Sequence, residues 1–146
     1  MKSVTSEIVK KLRDCTGAGI MDCKNALLLC DGDINKAIEE LKKKGISLAE
    51  KRFSREVKEG MIHIVINFDK NKCSIVEINC ETDFVARQEE FKQYVYKVAN
   101  FVLDNCVSSV DELNNFINIE QERIDLISKL GENIYIRRVY IFLNTN

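Results

Sequence analysis

Proline is absent from this chain, so every reversal must be made by Gly, Asn or Asp rather than by a locked φ angle. No Cys-x-x-Cys pair occurs, and the single histidine, His63, sits alone in a strand-like run. The paired ligand spacing of a zinc site is therefore missing, and neither a metal nor a cofactor is expected. No apolar run approaches the roughly 20 residues that a membrane-spanning helix needs. An excess of charge of one sign is missing too. Acids and bases are interspersed to a net charge of −1, which removes the electrostatic case for nucleic acid or a membrane surface as partner. The opening residues, Met1-Lys2-Ser3-Val4, lead straight into helical periodicity with no apolar signal region and no transit segment. The expectation is a protein that stays in the cytoplasm.

What is present describes a globular chain. A hydrophobic content of 45% against 31% charge is enough apolar material to build a core, which separates it from disordered sequences. Its 146 residues suffice for one ordinary domain, or for a small module joined to a larger one. Six cysteines (Cys15, Cys23, Cys30, Cys73, Cys80, Cys106) fall largely on apolar faces and read as small reduced hydrophobes of the core.

The period of the apolar residues divides the chain. Up to residue 45 it is helical. Ile8, Val9 and Leu12 form one stripe; Ile20, Cys23, Leu27 and Cys30 a second; Ile34, Ala37, Ile38 and Leu41 a third. Thr16-Gly17-Ala18-Gly19 and Asp31-Gly32-Asp33 interrupt them, and Asp33 is a natural N-cap. Lys42-Lys43-Lys44 followed by Gly45 predicts the end of the third helix. Residues 46–59 are charged, with Lys51, Arg52 and Arg55, and read as an exposed, partly helical linker.

From Gly60 the period becomes two. Ile62, Ile64 and Ile66 alternate with Met61, His63 and Val65, and a turn at Asp69-Lys70-Asn71 leads into a second strand ending at Cys80. Phe91, Val95, Val98 and Val102 mark a helix. The capping box Ser109-x-x-Glu112 starts another that carries Leu113, Phe116 and Ile117, and Ile124, Ile127 and Leu130 continue helical spacing to Gly131. Ile134 to Leu143 is a last strand, apolar on both faces and therefore a candidate open sheet edge. The order ββ, helices, β predicts an α+β fold: an N-terminal three-helix bundle (1–45), a linker (46–59), and a three-stranded antiparallel sheet packed on helices (60–146).

One stretch, Ile78-Asn79-Cys80-Glu81-Thr82-Asp83-Phe84-Val85, carries the functional reading. A strand delivers its chain to a polar turn; Thr82 is placed to cap a helix, leaving Asp83 and Phe84 in the first turn, where the dipole favours the acid. Phe84 either plugs the chain's own core or is a probe presented to another protein.

Four motifs in order resemble the elongation factor Ts family. Leu12-Arg13-Asp14-Cys15-Thr16-Gly17-Ala18-Gly19-Ile20-Met21-Asp22-Cys23-Lys24 is similar to that family's N-terminal motif, and Asp31-Gly32-Asp33-Ile34-Asn35-Lys36-Ala37-Ile38 to its third helix. Asn79 to Ala86 is similar to its central motif, and Gly131-Glu132-Asn133-Ile134 with Ile136-Arg137-Arg138 to a later one. The chain departs from the pattern at Phe53 and Lys58, where the family usually has alanine, and it stops where long members continue into a second core half and a coiled coil.

The resemblance implies a ubiquitin-associated-like bundle followed by an α+β core. It also implies a guanine nucleotide exchange factor that binds GDP-bound elongation factor Tu and performs no covalent chemistry. By the same resemblance, Thr82, Asp83, Phe84 and Val85 disturb the GTPase's magnesium site, with Phe84 as the wedge. Arg13, Ile20 and Met21 dock the bundle, and Leu130, Gly131, Glu132 and Asn133 support contacts from the neighbouring loop. Ile20 and Met21 could instead be bundle core, and Gly131 a plain helix cap. With a single core half, a homodimer paired through the last strand is the expected assembly. A ubiquitin-associated-like adaptor without exchange activity is the alternative; it explains the bundle but leaves Asp83, Phe84 and the sheet without a role.

Overall fold

A computed structural model describes residues 4–144, so the start on which the cytoplasmic expectation rests, Met1 to Ser3, lies outside the described residues. The chain divides into two compact units, Met1–Lys51 and Arg52–Asn146.

The first unit is a three-helix bundle. Helix α1 (Ser6–Thr16) is capped by Thr5, whose Oγ1 accepts the Ile8 N–H, and closed by Gly17 in the left-handed conformation at φ 68°. Helix α2 (Ile20–Leu29) follows the glycine turn. Helix α3 (Ile34–Arg52) is capped by Asp33, whose Oδ1 accepts the Lys36 N–H at 3.1 Å. Val9, Leu12, Cys23, Ala26, Leu27 and Ala37 are the buried centre of the bundle, contributed by all three expected stripes. Helix α3 does not stop at Gly45. Ala37, Gly45 and Ala49 are buried and Leu41 is partly so, and this inward stripe runs at four-residue spacing through the glycine, which serves as a helix-interior residue. The helix takes up the first half of the expected linker and leaves residues 53–58 as irregular chain.

In the second unit, β1 (Glu59–Ile66) and β2 (Lys72–Cys80) form the antiparallel hairpin. Its turn is held by Asn67, whose Oδ1 accepts the N–H groups of Asn71 and Lys72 at 3.0 and 2.8 Å. The last strand, β3 (Ile134–Leu143), pairs antiparallel with β2, giving the sheet order β1-β2-β3 and leaving β3 on an edge. Between the strands run α4 (Asp83–Ala86), α5 (Glu89–Asn105), α6 (Val110–Asn114) and α7 (Ile117–Leu130). This is the α+β arrangement the periodicities predict. One boundary differs: Leu113, Phe116 and Ile117 do not share a helix. The chain leaves α6 at the weak helix formers Asn114 and Asn115, and Phe116 becomes the N-cap of α7, its ring edge-on to Phe101 at 4.8 Å.

Helix α5 covers one face of the sheet. Ser74 Oγ, fully buried, donates to the Ala99 carbonyl at 2.8 Å, and the His63 ring lies 4.5 Å from that of Tyr96. Val76, Ile78 and Cys80 of β2 and Phe91, Val95, Val98 and Val102 of α5 have no solvent exposure. Each such side chain contributes about 1.5–3 kcal/mol of transfer free energy.

The opposite face is open. Its registered rows are Ile62–Glu77–Arg138, Ile64–Ile75–Tyr140 and Ile66–Cys73–Phe142. Ile62, Ile64, Ile66, Tyr140 and Phe142 are exposed. The more apolar row of β1 thus faces outward, and His63 faces the helix. A bulge opposite Glu77 and Ile78 explains why β3 looks apolar on both faces. It lets Arg137 and Arg138 both point to solvent, so that Ile134 and Ile136 before it and Val139 after it are all buried.

The cysteines do not all belong to the core. Cys23 and Cys80 are buried, Cys30 and Cys73 partly so, and Cys15 and Cys106 are exposed. Cys15 lies in the exposed last turn of α1, and Cys106 sits in the left-handed residue that ends α5 at φ 51°, a solvent-facing position. Among the described residues no helix is long and apolar enough to cross a membrane, and no group of His, Cys, Asp and Glu is arranged to hold a metal ion.

Candidate functional site: a clamped turn at the end of β2

Strand β2 ends at Cys80 and the chain turns at once into the single turn of α4. Thr82 is its N-cap, in extended conformation, with its hydroxyl accepting the Val85 N–H at 3.4 Å. Asp83 and Phe84 follow, and their side chains part company with the core. Phe84 is 75% exposed while its neighbour Val85 is buried, so the turn is anchored through valine and presents phenylalanine. The core-plug reading of Phe84 is thereby removed. The Asp83 carboxylate meets Arg87 at 3.1 Å, one helical turn on, a half-exposed pair worth well under 1 kcal/mol.

A second loop holds this turn in place. Helix α7 ends at Gly131, left-handed at φ 79°, whose N–H donates to the Ile127 carbonyl. The chain then delivers Glu132 to the turn. Its Oε2 accepts the N–H groups of Glu81 and Thr82 at 3.1 and 3.0 Å, and its Oε1 accepts the Thr82 hydroxyl at 2.6 Å. The exchange is reciprocal, because the Glu81 carboxylate accepts the Asn133 N–H at 2.7 Å. Buried Asn133 donates through Nδ2 to the carbonyls of Phe53 and Arg55 at 3.3 and 3.0 Å, and Arg55 Nη1 lies 3.7 Å from the Glu81 carboxylate. Three segments far apart in sequence are tied at one point. Beneath them, the Cys80 thiol donates to the Thr82 carbonyl at 3.2 Å; burial pushes its pKa up to about 12, with the charge of Glu132 adding to the effect.

Of the loop residues expected beside Phe84, Leu130, Gly131 and Glu132 are partly buried and Asn133 is buried. The side chains of Glu132, Asn133 and Val85 point into the chain's own structure rather than out of it. Gly131 is a helix cap, and it brings the loop beside Thr82 as well. The reciprocal clamp has no local signature, since its partners stand some fifty residues apart.

In the first unit, Ile20 and Met21 open α2 and are 54% and 62% exposed, so they are not bundle core. Arg13 is exposed in the last turn of α1 and lines, with Ile20, Val9 and Lys24, a groove of about 520 Å³.

A family model described as elongation factor TS matches residues 81–146, from the first residue of the clamped turn onward. Relatives cover the remainder. Elongation factor Ts of Hydrogenovibrio crunogenus is 46% identical over 142 residues, spanning 94% of this chain and 48% of the relative. The Wolinella succinogenes protein of the same name is 43% identical over 143 residues, 95% of this chain and 40% of its own length. That of Clostridium perfringens is 44% identical over 140 residues, 92% and 46%. Along almost its whole length the chain is similar to elongation factor Ts. It spans about half the length of the curated relatives it matches, and the match includes the clamped turn, its supporting loop and the bundle.

Proposed function

We propose that the chain is a guanine nucleotide exchange factor that binds elongation factor Tu in its GDP-bound state and promotes GDP release during translation elongation in the cytoplasm. The observation that carries this reading is Phe84: a large aromatic side chain held out in water, on a turn fixed by hydrogen bonds to a second loop. A rigidly presented aromatic of this kind is the usual anchor of a protein–protein contact.

The mechanism follows from how nucleotides are held. A GTPase binds phosphates through backbone N–H groups and a Mg²⁺ that bridges phosphate oxygens to protein. A side chain wedged beside that site displaces groups that hold the ion and leaves phosphate charge uncompensated. Phe84 is the wedge in this proposal, and Asp83, once released from Arg87, brings a negative charge next to it. Arg13, Ile20 and Met21 form the bundle's contact with the same partner. Glu132, Asn133 and Val85 contribute from behind. No bond is made or broken.

Binding of the factor and of GDP must then oppose each other equally. Excess GDP is expected to dissociate the complex with the GTPase, followed by size exclusion; a complex that survives saturating GDP refutes the mechanism.

A second copy of the chain is the further partner we propose, through the sheet. Ile62, Ile64, Ile66, Tyr140 and Phe142 lie in adjacent registered rows on its open face, an apolar surface of the kind that marks an interface. A two-fold pairing would cover it.

A further inference from the structure

We infer that Glu132 is a positioning residue: its carboxylate sets the direction of Phe84 through Thr82, rather than touching the partner. One carboxylate collects three donors of a two-residue turn, the N–H groups of Glu81 and Thr82 and the Thr82 hydroxyl. The same hydroxyl oxygen caps α4 through the Val85 N–H. The path from Glu132 to the helix that carries Phe84 is therefore two hydrogen bonds long. Charge-assisted bonds of this kind are the strong ones, and they hold the donors in a fixed fan. With both oxygens occupied inward, Glu132 has little left to offer a partner. Its neighbour Asn133 fastens the same loop to the carbonyls of Phe53 and Arg55, so the loop that aims the turn is itself braced by the segment after α3.

Two substitutions separate reach from charge. Glu132→Gln keeps the length and one carbonyl oxygen, enough for the two backbone donors, while its amide can donate to the Thr82 hydroxyl. Glu132→Asp keeps the charge but is one methylene too short to span all three donors. A positioning role ranks Gln above Asp; a direct electrostatic contact with a partner ranks Asp above Gln.

The test has an arm that needs no partner. Amide hydrogen exchange is measured on the full chain and on Glu132→Ala, with Glu132→Asp carrying the same comparison should the alanine variant fail to fold. The N–H groups of Glu81, Thr82 and Val85 are expected to exchange at least about tenfold faster, while those of α5 are unchanged. Glu132→Gln should restore most of the protection. Unchanged exchange at the three amides, or an equal rise throughout the unit, overturns the inference.

The second arm rests on the exchange-factor reading and uses GDP release from elongation factor Tu. Glu132→Ala should slow release in the parent chain and add little in a Phe84→Ala background, because the two act in series. Equal losses in both backgrounds overturn the inference. A parent chain that does not accelerate release at all refutes the exchange-factor reading instead, and the amide data still decide the clamp.

Discussion

The Glu132 carboxylate accepts both the backbone N–H of Thr82, at 3.0 Å, and its hydroxyl, at 2.6 Å, across fifty residues of chain. That contact gives the exposed Phe84 a rigid base. A loop tip would leave the same residue free to sample many directions, and ordering it on binding would cost conformational entropy.

Removing the probe should therefore separate function from stability. Phe84→Ala is expected to weaken partner engagement by about 2 kcal/mol or more, roughly thirty-fold, as anchors of this kind do. Its melting temperature should stay close to the parent's, because a largely exposed ring contributes within about 0.5 kcal/mol. Parallel thermal melts and exchange rates check this; a stability loss of about 3–5 kcal/mol is what a core phenylalanine would give.

Gly60 is a second position where one atom decides. It stands in β1 at φ 149°, and a Cβ there would lie 2.2 Å from the Ile78 carbonyl oxygen and 2.7 Å from the Asn79 Cα. Backbone cannot move aside as a flexible side chain can. Gly60→Ala is expected to cost about 2–3 kcal/mol and to lower the melting temperature by roughly 10 °C or more. A melt within about 2 °C of the parent would contradict the close approach.

Most of the fold was readable from local patterns. The three bundle stripes, the Asp33 and Thr82 caps and the change of period at Gly60 are short-range signals, and the helices and strands follow them. The misreadings share a cause: tertiary burial outweighed a local stop or continuation. Gly45 looked like a helix end because lysines precede it, yet its place in a buried stripe keeps the helix going to Arg52. Phe116 fits the helical spacing but packs on Phe101 outside a helix. At the candidate site, the Thr82 cap and the short turn bearing Asp83 and an exposed Phe84 are legible in the sequence. Its support is not, because nothing near Glu81 in sequence announces Asn133, and nothing near Glu132 announces Thr82.

The cysteines predict a pH effect. Buried Cys80 keeps its proton to about 12 in the folded chain, against an ordinary value of 9.0. The folded state thus binds more protons than the unfolded state above pH 9. The resulting stabilisation is complete below that pH and is lost as pH rises from 9 toward 12. Urea midpoints should fall over that window, and less steeply for Cys80→Ala than for the parent. In native protein at pH 8, a thiol reagent should label the exposed Cys15 and Cys106 quickly, and Cys23 and Cys80 only after denaturant is added. Fast labelling of Cys80 in the native state would contradict its burial.

The sheet face predicts an assembly. Light scattering at micromolar concentration should give twice the 16.8 kDa of one chain, and Ile64→Lys should return the monomer by placing a charge in the middle row. A parent mass that stays at one chain on concentrating the sample rules out pairing through this face.

Release of fluorescent GDP from elongation factor Tu, followed by stopped flow with and without this chain, reads the proposed activity itself. Release is expected to accelerate in proportion to added chain until it saturates, Phe84→Ala to remove most of the acceleration, and excess Mg²⁺ to oppose it. A release rate equal to the spontaneous one at saturating chain, with the protein folded, would contradict that activity.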